Sequence, residues 1–214
     1  MDHFNLSRGV LHCEDVPLPV IAEAVGTPVY VYSTATLRRH AEVMQAAVAG
    51  SGTGDPLVAY AVKANPNAAL LRILAEAGLG ADVVSIGEYR RAWTAGIAPE
   101  RIVFSGVGKT REEMAEALAG GLLQFNAESL EEAEMLSAVA VAQGRTAPIG
   151  FRINPDVAAG THAKITTGTA DNKFGIAAGQ ALEAYRRARP RPMAPWSGES
   201  PRSGTCAWCS SPGG

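Results

Sequence analysis

Residues 58–74 read VAYAVKANPNAALLRIL, and the apolar run from Leu57 to Val62 ends abruptly on Lys63. A run this short fits a strand. Leu70, Leu71 and Leu74 then share one face at helical spacing, so the stretch reads as strand, lysine, turn and helix. An ammonium at the end of a buried strand either snorkels to solvent or is held where its amine is used.

The same rhythm repeats along the middle of the chain. Short apolar runs occur at LVAYAV (57–62), ADVV (81–84), RIVF (101–104), LLQF (122–125) and IGFRI (149–153). They barely alternate, which predicts strands covered on both faces of a parallel sheet. Helix starts are marked by SIGE (Ser85–Glu88), TREE (Thr110–Glu113) and SLEE (Ser129–Glu132), each a capping-box pattern with reciprocal hydroxyl and carboxylate bonds. Gly96, Gly120 and Gly144 stand where the helices should stop. Leu130, Ala133, Leu136, Val139 and Ala140 share one helical face. Further helices fit around Leu37, Ala41, Met44 and Val48, and around Leu70 to Leu74.

Strands followed by helices at this spacing predict an α/β fold. No GxGxxG follows the first strand, which weakens a dinucleotide-binding reading and favours a TIM-type barrel; a doubly wound sheet stays open. Lys63, Ser85, Ser105, Asn126 and Asn154 all fall at or just past the ends of predicted strands, the face on which barrel sites are built. Each alone could equally cap a helix or satisfy loop backbone.

Composition narrows the function classes. The 214 residues are 47% hydrophobic, with a net charge of −2 and no basic block, so nucleic acid and anionic membrane are poor partners. No apolar stretch approaches the roughly 20 residues of a membrane span, and the N-terminus lacks the order of a secretory signal. The three cysteines, Cys13, Cys206 and Cys209, form no recognisable disulfide framework. CAWC (206–209) lacks the second ligand pair of a zinc site, and no metal site is expected. A cytoplasmic protein is the expectation.

Several blocks, in order, carry a resemblance: GTPVYVYSTATLR (26–38), YAVKAN (60–65), ADVVSIGE (81–88), IVFSGVGKT (102–110), FRINPDV (151–157), and GTHAKITTG with NKFGI (160–176). On these the chain resembles the fold-type III pyridoxal-phosphate-dependent decarboxylases, the branch acting on diaminopimelate most closely. The resemblance implies a partial (β/α)8 barrel of about five βα units at 36–188. Residues 1–35 would belong to a β-rich second domain. It implies pyridoxal 5'-phosphate held by Lys63 as a Schiff base, with Asp82 in the cofactor pocket and Arg152 donating to the cofactor's oxygens. An apolar strand end would favour a neutral Lys63 amine by desolvation.

The implied reaction is release of CO2 from a small amino acid, meso-diaminopimelate, to give L-lysine. An ornithine- or arginine-type decarboxylase and a catalytically dead cofactor-binding or dimerisation fragment are the alternatives. Family members are homodimers. Alanine racemase fits less well, since the lysine here is followed by ANPNAAL. Ile86 departs from the glycine that relatives carry in this block. His162 and Lys164 are left without a role.

After Ala188 the sequence turns rich in Pro, Gly and Ser, reading RPRPMAPWSGESPRSGTCAWCSSPGG, and the resemblance stops. A disordered, non-native tail at 189–214 is expected, from a truncated or frameshifted gene. The family's later phosphate-binding loops would then be missing and activity weak or absent.

Overall fold

A computed structural model describes residues 2–50, 56–154 and 174–188. The first unit is an antiparallel meander of β1 (Phe4–Ser7), β2 (Val10–Cys13) and β3 (Val16–Pro17), followed by helix α1 (Leu18–Val25). It is anchored by Glu14, whose carboxylate accepts from the Ser33 hydroxyl at 2.7 Å and the Ala35 amide at 3.0 Å. These donors, the Ala35 N–H foremost, hold the Glu14 carboxyl below its usual range. Cys13, beside it, is buried and free, and burial pushes its thiol up.

Helix α2 (Thr34–Ala49) leads into the repeating part: β4 (Ala59–Ala61), α3 (Ala68–Glu76), β5 (Gly80–Val83), α4 (Ile86–Thr94), β6 (Ile102–Phe104), α5 (Arg111–Gly120), β7 (Gln124–Ala127), α6 (Leu130–Ala142) and β8 (Ile149–Phe151). The five strands β4 to β8 form one sheet in chain order, every pairing parallel. A doubly wound sheet reverses its strand order at a switch point, and this sheet has none. Successive right-handed crossovers then lay the helices on one side, giving an arc of a (β/α) barrel. Past Arg152, the short β9 (Ile153–Asn154) pairs in parallel with β10 (Ile176–Ala177), ahead of α7 (Ala181–Ala188).

Burial along the strands corrects one expectation. Ala81, Val83, Ile102, Phe104, Phe125, Ala127, Ile149 and Phe151 are buried, whereas Asp82, Val103, Gln124, Asn126 and Gly150 between them are only half-buried. The strands therefore alternate. Their outer face packs on the helices, and among the described residues their inner face is only half covered. The alternation is hidden in the sequence because small or apolar residues (Ala61, Val103, Gly150) interrupt the polar ones on the inner face.

The core lies between the sheet and its helices. Phe104 and Phe125 stack with centroids 6.0 Å apart, and Phe151 meets the edge of Tyr185 from α7 at 5.1 Å. Burying side chains of this size stabilises by about 1.5–3 kcal/mol each. A satellite cluster of Ala41, Leu74 and Leu79 joins α2 to α3.

Helix starts follow the sequence closely, with one refinement. The Thr110–Glu113 capping box is reciprocal. At α4 and α6 the serines cap as expected, but the carboxylates reach back one residue further. Glu88 accepts from Val84 N–H at 2.8 Å and Glu132 from Glu128 N–H at 2.7 Å. These helices leave directly from strand ends, so the exposed amide to be satisfied is the one before the cap. Ile86 starts α4 and packs against the core.

Gly120 is not the stop of its helix: α5 runs through it and ends on the left-handed Gly121 (φ 79°). A Cβ at Gly120 would stand 2.1 Å from the Tyr89 hydroxyl oxygen and 3.2 Å from its ring. Tyr89 is itself buried, so it cannot swing away. Gly120→Ala is expected to destabilise the fold by about 1–3 kcal/mol through overpacking. Urea denaturation measures this, and a neutral substitution would show that Tyr89 has room to move.

Candidate functional site

The turn after β4 shows why the opening stretch folds as it does. Val62 is fully buried and fixes a single 3-10 turn, Val62–Ala64, that carries Lys63. Asn65 Oδ1 then accepts from Asn67 N–H at 3.1 Å, and the Asn67 side chain caps α3 through Ala69 N–H at 2.9 Å. Pro66 between them fixes its own φ and restricts the backbone of Asn65 before it. The turn carries Lys63 on its exposed side, directly after the buried Val62.

It faces a cleft of about 650 Å3 at the C-terminal ends of the strands, lined by Lys63, Asp82, Ser105, Asn126, Glu128, Arg152 and Phe174, among others. All three residues singled out for the cofactor, Lys63, Asp82 and Arg152, reach this one cleft. Of the other strand-end residues, Ser105 and Asn126 line it too. Ser85 does not: it caps α4. The expected burial of Lys63 is absent, because its side chain is exposed. Among the described residues no hydrogen bond or ion pair ties up its amine.

Asp82, on β5, is oriented from its neighbours. The Ser105 hydroxyl donates to Asp82 Oδ1, Asn126 Nδ2 donates to Ser105 Oγ at 3.0 Å, and Gln124 Nε2 donates to Asn126 Oδ1 at 2.7 Å. Three side chains from two adjacent strands therefore donate in series toward one carboxylate. In a low-dielectric setting such chains reinforce one another.

Arg152 stands between β8 and β9. Its Nη1 donates to Glu128 Oε1 at 3.2 Å, and its guanidinium lies 5.2 Å from the Phe174 ring centroid. With the arginine side chain 42% exposed, the pair contributes little to stability and serves mainly to orient the guanidinium. Arg152 thus makes an ion pair at the rim, and its side chain still lines the cleft.

Two contributors escaped the sequence reading. Glu128 is buried at the cleft wall, yet it precedes the α6 cap and reads there as part of an acidic, solvated helix start. Lys109 reads as a loop lysine. In the structure it is buried, donating to Gly106 O at 2.6 Å, Asn126 O at 2.8 Å and Glu132 Oε1 at 2.7 Å. It ties the loop after β6 to the exit of β7. Gly106, in that loop, needs its positive φ of 87°, which a side chain would strain. His162, Lys164, the CAWC motif and the expected tail lie outside the described residues.

The family model described as pyridoxal-dependent decarboxylase, pyridoxal binding domain, matches residues 34–192, most of the chain. The chain belongs to this family. Diaminopimelate decarboxylase of Zymomonas mobilis is 59% identical over 184 residues, covering 86% of this chain and 44% of that protein. The enzyme of the same name from Vibrio cholerae is 49% identical over 193 residues, covering 90% of this chain and 46% of its own length. Among solved structures, diaminopimelate decarboxylase from Helicobacter pylori complexed with L-lysine superposes with a TM-score of 0.74. It is 41% identical and covers 80% of this chain and 43% of that one. The chain thus spans under half the length of these pyridoxal-dependent decarboxylases. No helix among the described residues is long and apolar enough to cross a membrane.

Proposed function

We propose that the chain supplies the lysine-bearing barrel part of a pyridoxal-phosphate-dependent decarboxylase that converts meso-diaminopimelate to L-lysine and CO2. The observation that carries this reading is the meeting of Lys63, Asp82 and Arg152 in one cleft on the face where barrel sites form. The substrate rests on the names of the relatives and on the L-lysine held by one of them.

The residues present fit the cofactor. The cleft is the size of a small-molecule site, offers an amine with no competing partner among the described residues, and pairs two cations with two carboxylates. Lys63 would hold pyridoxal phosphate through its Nζ, and Arg152 would donate to its anionic oxygens. Asp82, kept in place by Ser105, would orient the cofactor near that amine. When bound, the cofactor supplies an electron sink for the pair left behind by departing CO2.

The chain's own part is binding, orientation and proton traffic. Lys63 Nζ must shed a proton before its lone pair can attack an aldehyde, and water reaching the exposed side chain can take it. The same exposure works against turnover, because water weakens the fixed dipoles that stabilise charge in an enclosed site. The 214-residue chain alone is therefore expected to bind the cofactor while decarboxylating slowly.

Residues 1–35 are proposed to belong to a β-rich second domain and 36–188 to the cofactor-binding barrel. Homodimer formation and a cytoplasmic location are proposed with the family reading. The test is CO2 release from meso-diaminopimelate, L-ornithine and L-arginine by the chain supplied with pyridoxal phosphate. Release from meso-diaminopimelate above the rate with free cofactor supports the reading, and release only from ornithine or arginine contradicts the substrate.

A further inference from the structure

Gln124 and Asn126 flank the buried Phe125 on β7 and so share the inner face of the sheet, where Asn126 pairs with Gly150 of β8. Glycine leaves room there that a side chain would fill. A Cβ at Gly150 would stand 2.6 Å from Gln124 Nε2, 3.2 Å from Gln124 Cδ and 3.3 Å from Asn126 Oδ1. The Gln124 amide thus lies over the backbone of β8, and from that seat it donates to Asn126 Oδ1 at 2.7 Å. Neither Gln124 nor Gly150 is among the residues lining the cleft.

That single bond sets the direction of the bonds beyond it. A side-chain amide has one accepting end and one donating end. With Asn126 Oδ1 turned to the Gln124 donor, Asn126 Nδ2 is turned to Ser105 Oγ, 3.0 Å away. The Ser105 hydroxyl has one hydrogen, and since its oxygen accepts from Asn126, that hydrogen goes to Asp82 Oδ1. Were the Asn126 amide reversed, its oxygen would claim the serine's hydrogen and Asp82 would lose this donor. Asp82 pairs with Ala61 of β4, two residues before Lys63, so the relay ends beside the strand that delivers the amine.

Resting on the reading of the cleft as a pyridoxal-phosphate site, we infer that Gln124 is a positioning residue. Seated over Gly150, it fixes the polarity of the Asn126–Ser105 relay, and through that relay it orients the Asp82 carboxylate in the cleft that holds Lys63.

The experiment compares the wild-type chain with Gln124→Met, Gly150→Ala, Ser105→Ala and the double variant Ser105→Ala, Gln124→Met. Each is titrated with pyridoxal phosphate, uptake being followed by absorbance, and each is melted without ligand. Gln124→Met removes the donor without adding charge and is expected to weaken uptake about fivefold. Gly150→Ala displaces only the tip of a flexible side chain, so Tm should stay within about 2 °C while uptake weakens about as much. Ser105→Ala cuts the relay, so adding Gln124→Met to it should change uptake by less than about twofold, whereas a merely structural role would add its full effect. In the ligand-free chain, the amide-proton NMR signals of the Asn126 side chain should move in Gln124→Met and in Gly150→Ala alike.

Uptake within about twofold of wild type in these two single variants overturns the inference. So do losses that track Tm, or an undiminished effect of Gln124→Met on the Ser105→Ala background. The two single variants are read separately, so if one fails to fold the other decides. Unmoved Asn126 signals in the ligand-free chain strike down the relay alone, whereas a wild-type chain that takes up no pyridoxal phosphate overturns the cofactor reading and the inference resting on it.

Discussion

Lys109→Met is expected to destabilise the fold by about 3–5 kcal/mol, the usual consequence of removing one partner of a buried ion pair. The Lys109 side chain is 1% exposed and Glu132 10% exposed, with 2.7 Å between Nζ and Oε1. The substitution leaves three acceptors without their shared donor: the Gly106 and Asn126 carbonyls and the Glu132 carboxylate. Methionine matches the length of the lysine stem, so packing against Phe104, 5.7 Å from the ammonium, should be largely kept. The loss is then electrostatic. Domains of this kind carry about 5–15 kcal/mol in total, so the effect should be plain in urea denaturation. Adding Glu132→Gln to the same chain removes the uncompensated charge and is expected to recover part of the loss. A double variant no more stable than Lys109→Met would show that the carbonyls, not the carboxylate, were the costly orphans.

Lys63→Ala is expected to abolish covalent retention of pyridoxal phosphate and any CO2 release with it, since among the described residues lining the cleft only Lys63 carries an amine. Losses of this size follow when a covalent anchor is deleted rather than weakened. Stability should barely change, because the lysine is exposed and bonded to nothing among the described residues. That contrast with Lys109 is the point. Two lysines of one chain, 46 residues apart by their numbers (109 − 63), take opposite roles because one is surrounded by acceptors and the other is left free. Parallel thermal melts and cofactor-retention assays on the two variants check both halves, and a marked fall in Tm for Lys63→Ala would mean its side chain is structural.

Much of this architecture could be read before any coordinates. The succession of apolar runs and capped helices specified parallel βα units, and the strand-end positions of Lys63, Ser105 and Asn126 pointed to one face of the sheet. What could not be read was which polar residues the fold would bury. Glu128 and Lys109 look solvated in sequence because burial is set by partners brought from elsewhere: Arg152, Glu132 and two loop carbonyls. Gly120 looked like a helix stop because its real constraint, the Tyr89 hydroxyl, comes from a neighbouring helix. The exposure of Lys63 was equally invisible, since a strand end says nothing about what covers it.

The measurement that bears most directly on the account is reduction of the chain with borohydride after incubation with pyridoxal phosphate, followed by digestion and mass spectrometry of the peptides. The account predicts the pyridoxyl label on the peptide carrying Lys63, at stoichiometric yield and at cofactor concentrations too low to label other lysines. Label spread over the exposed lysines in proportion to their accessibility, with no preference for Lys63, would contradict it.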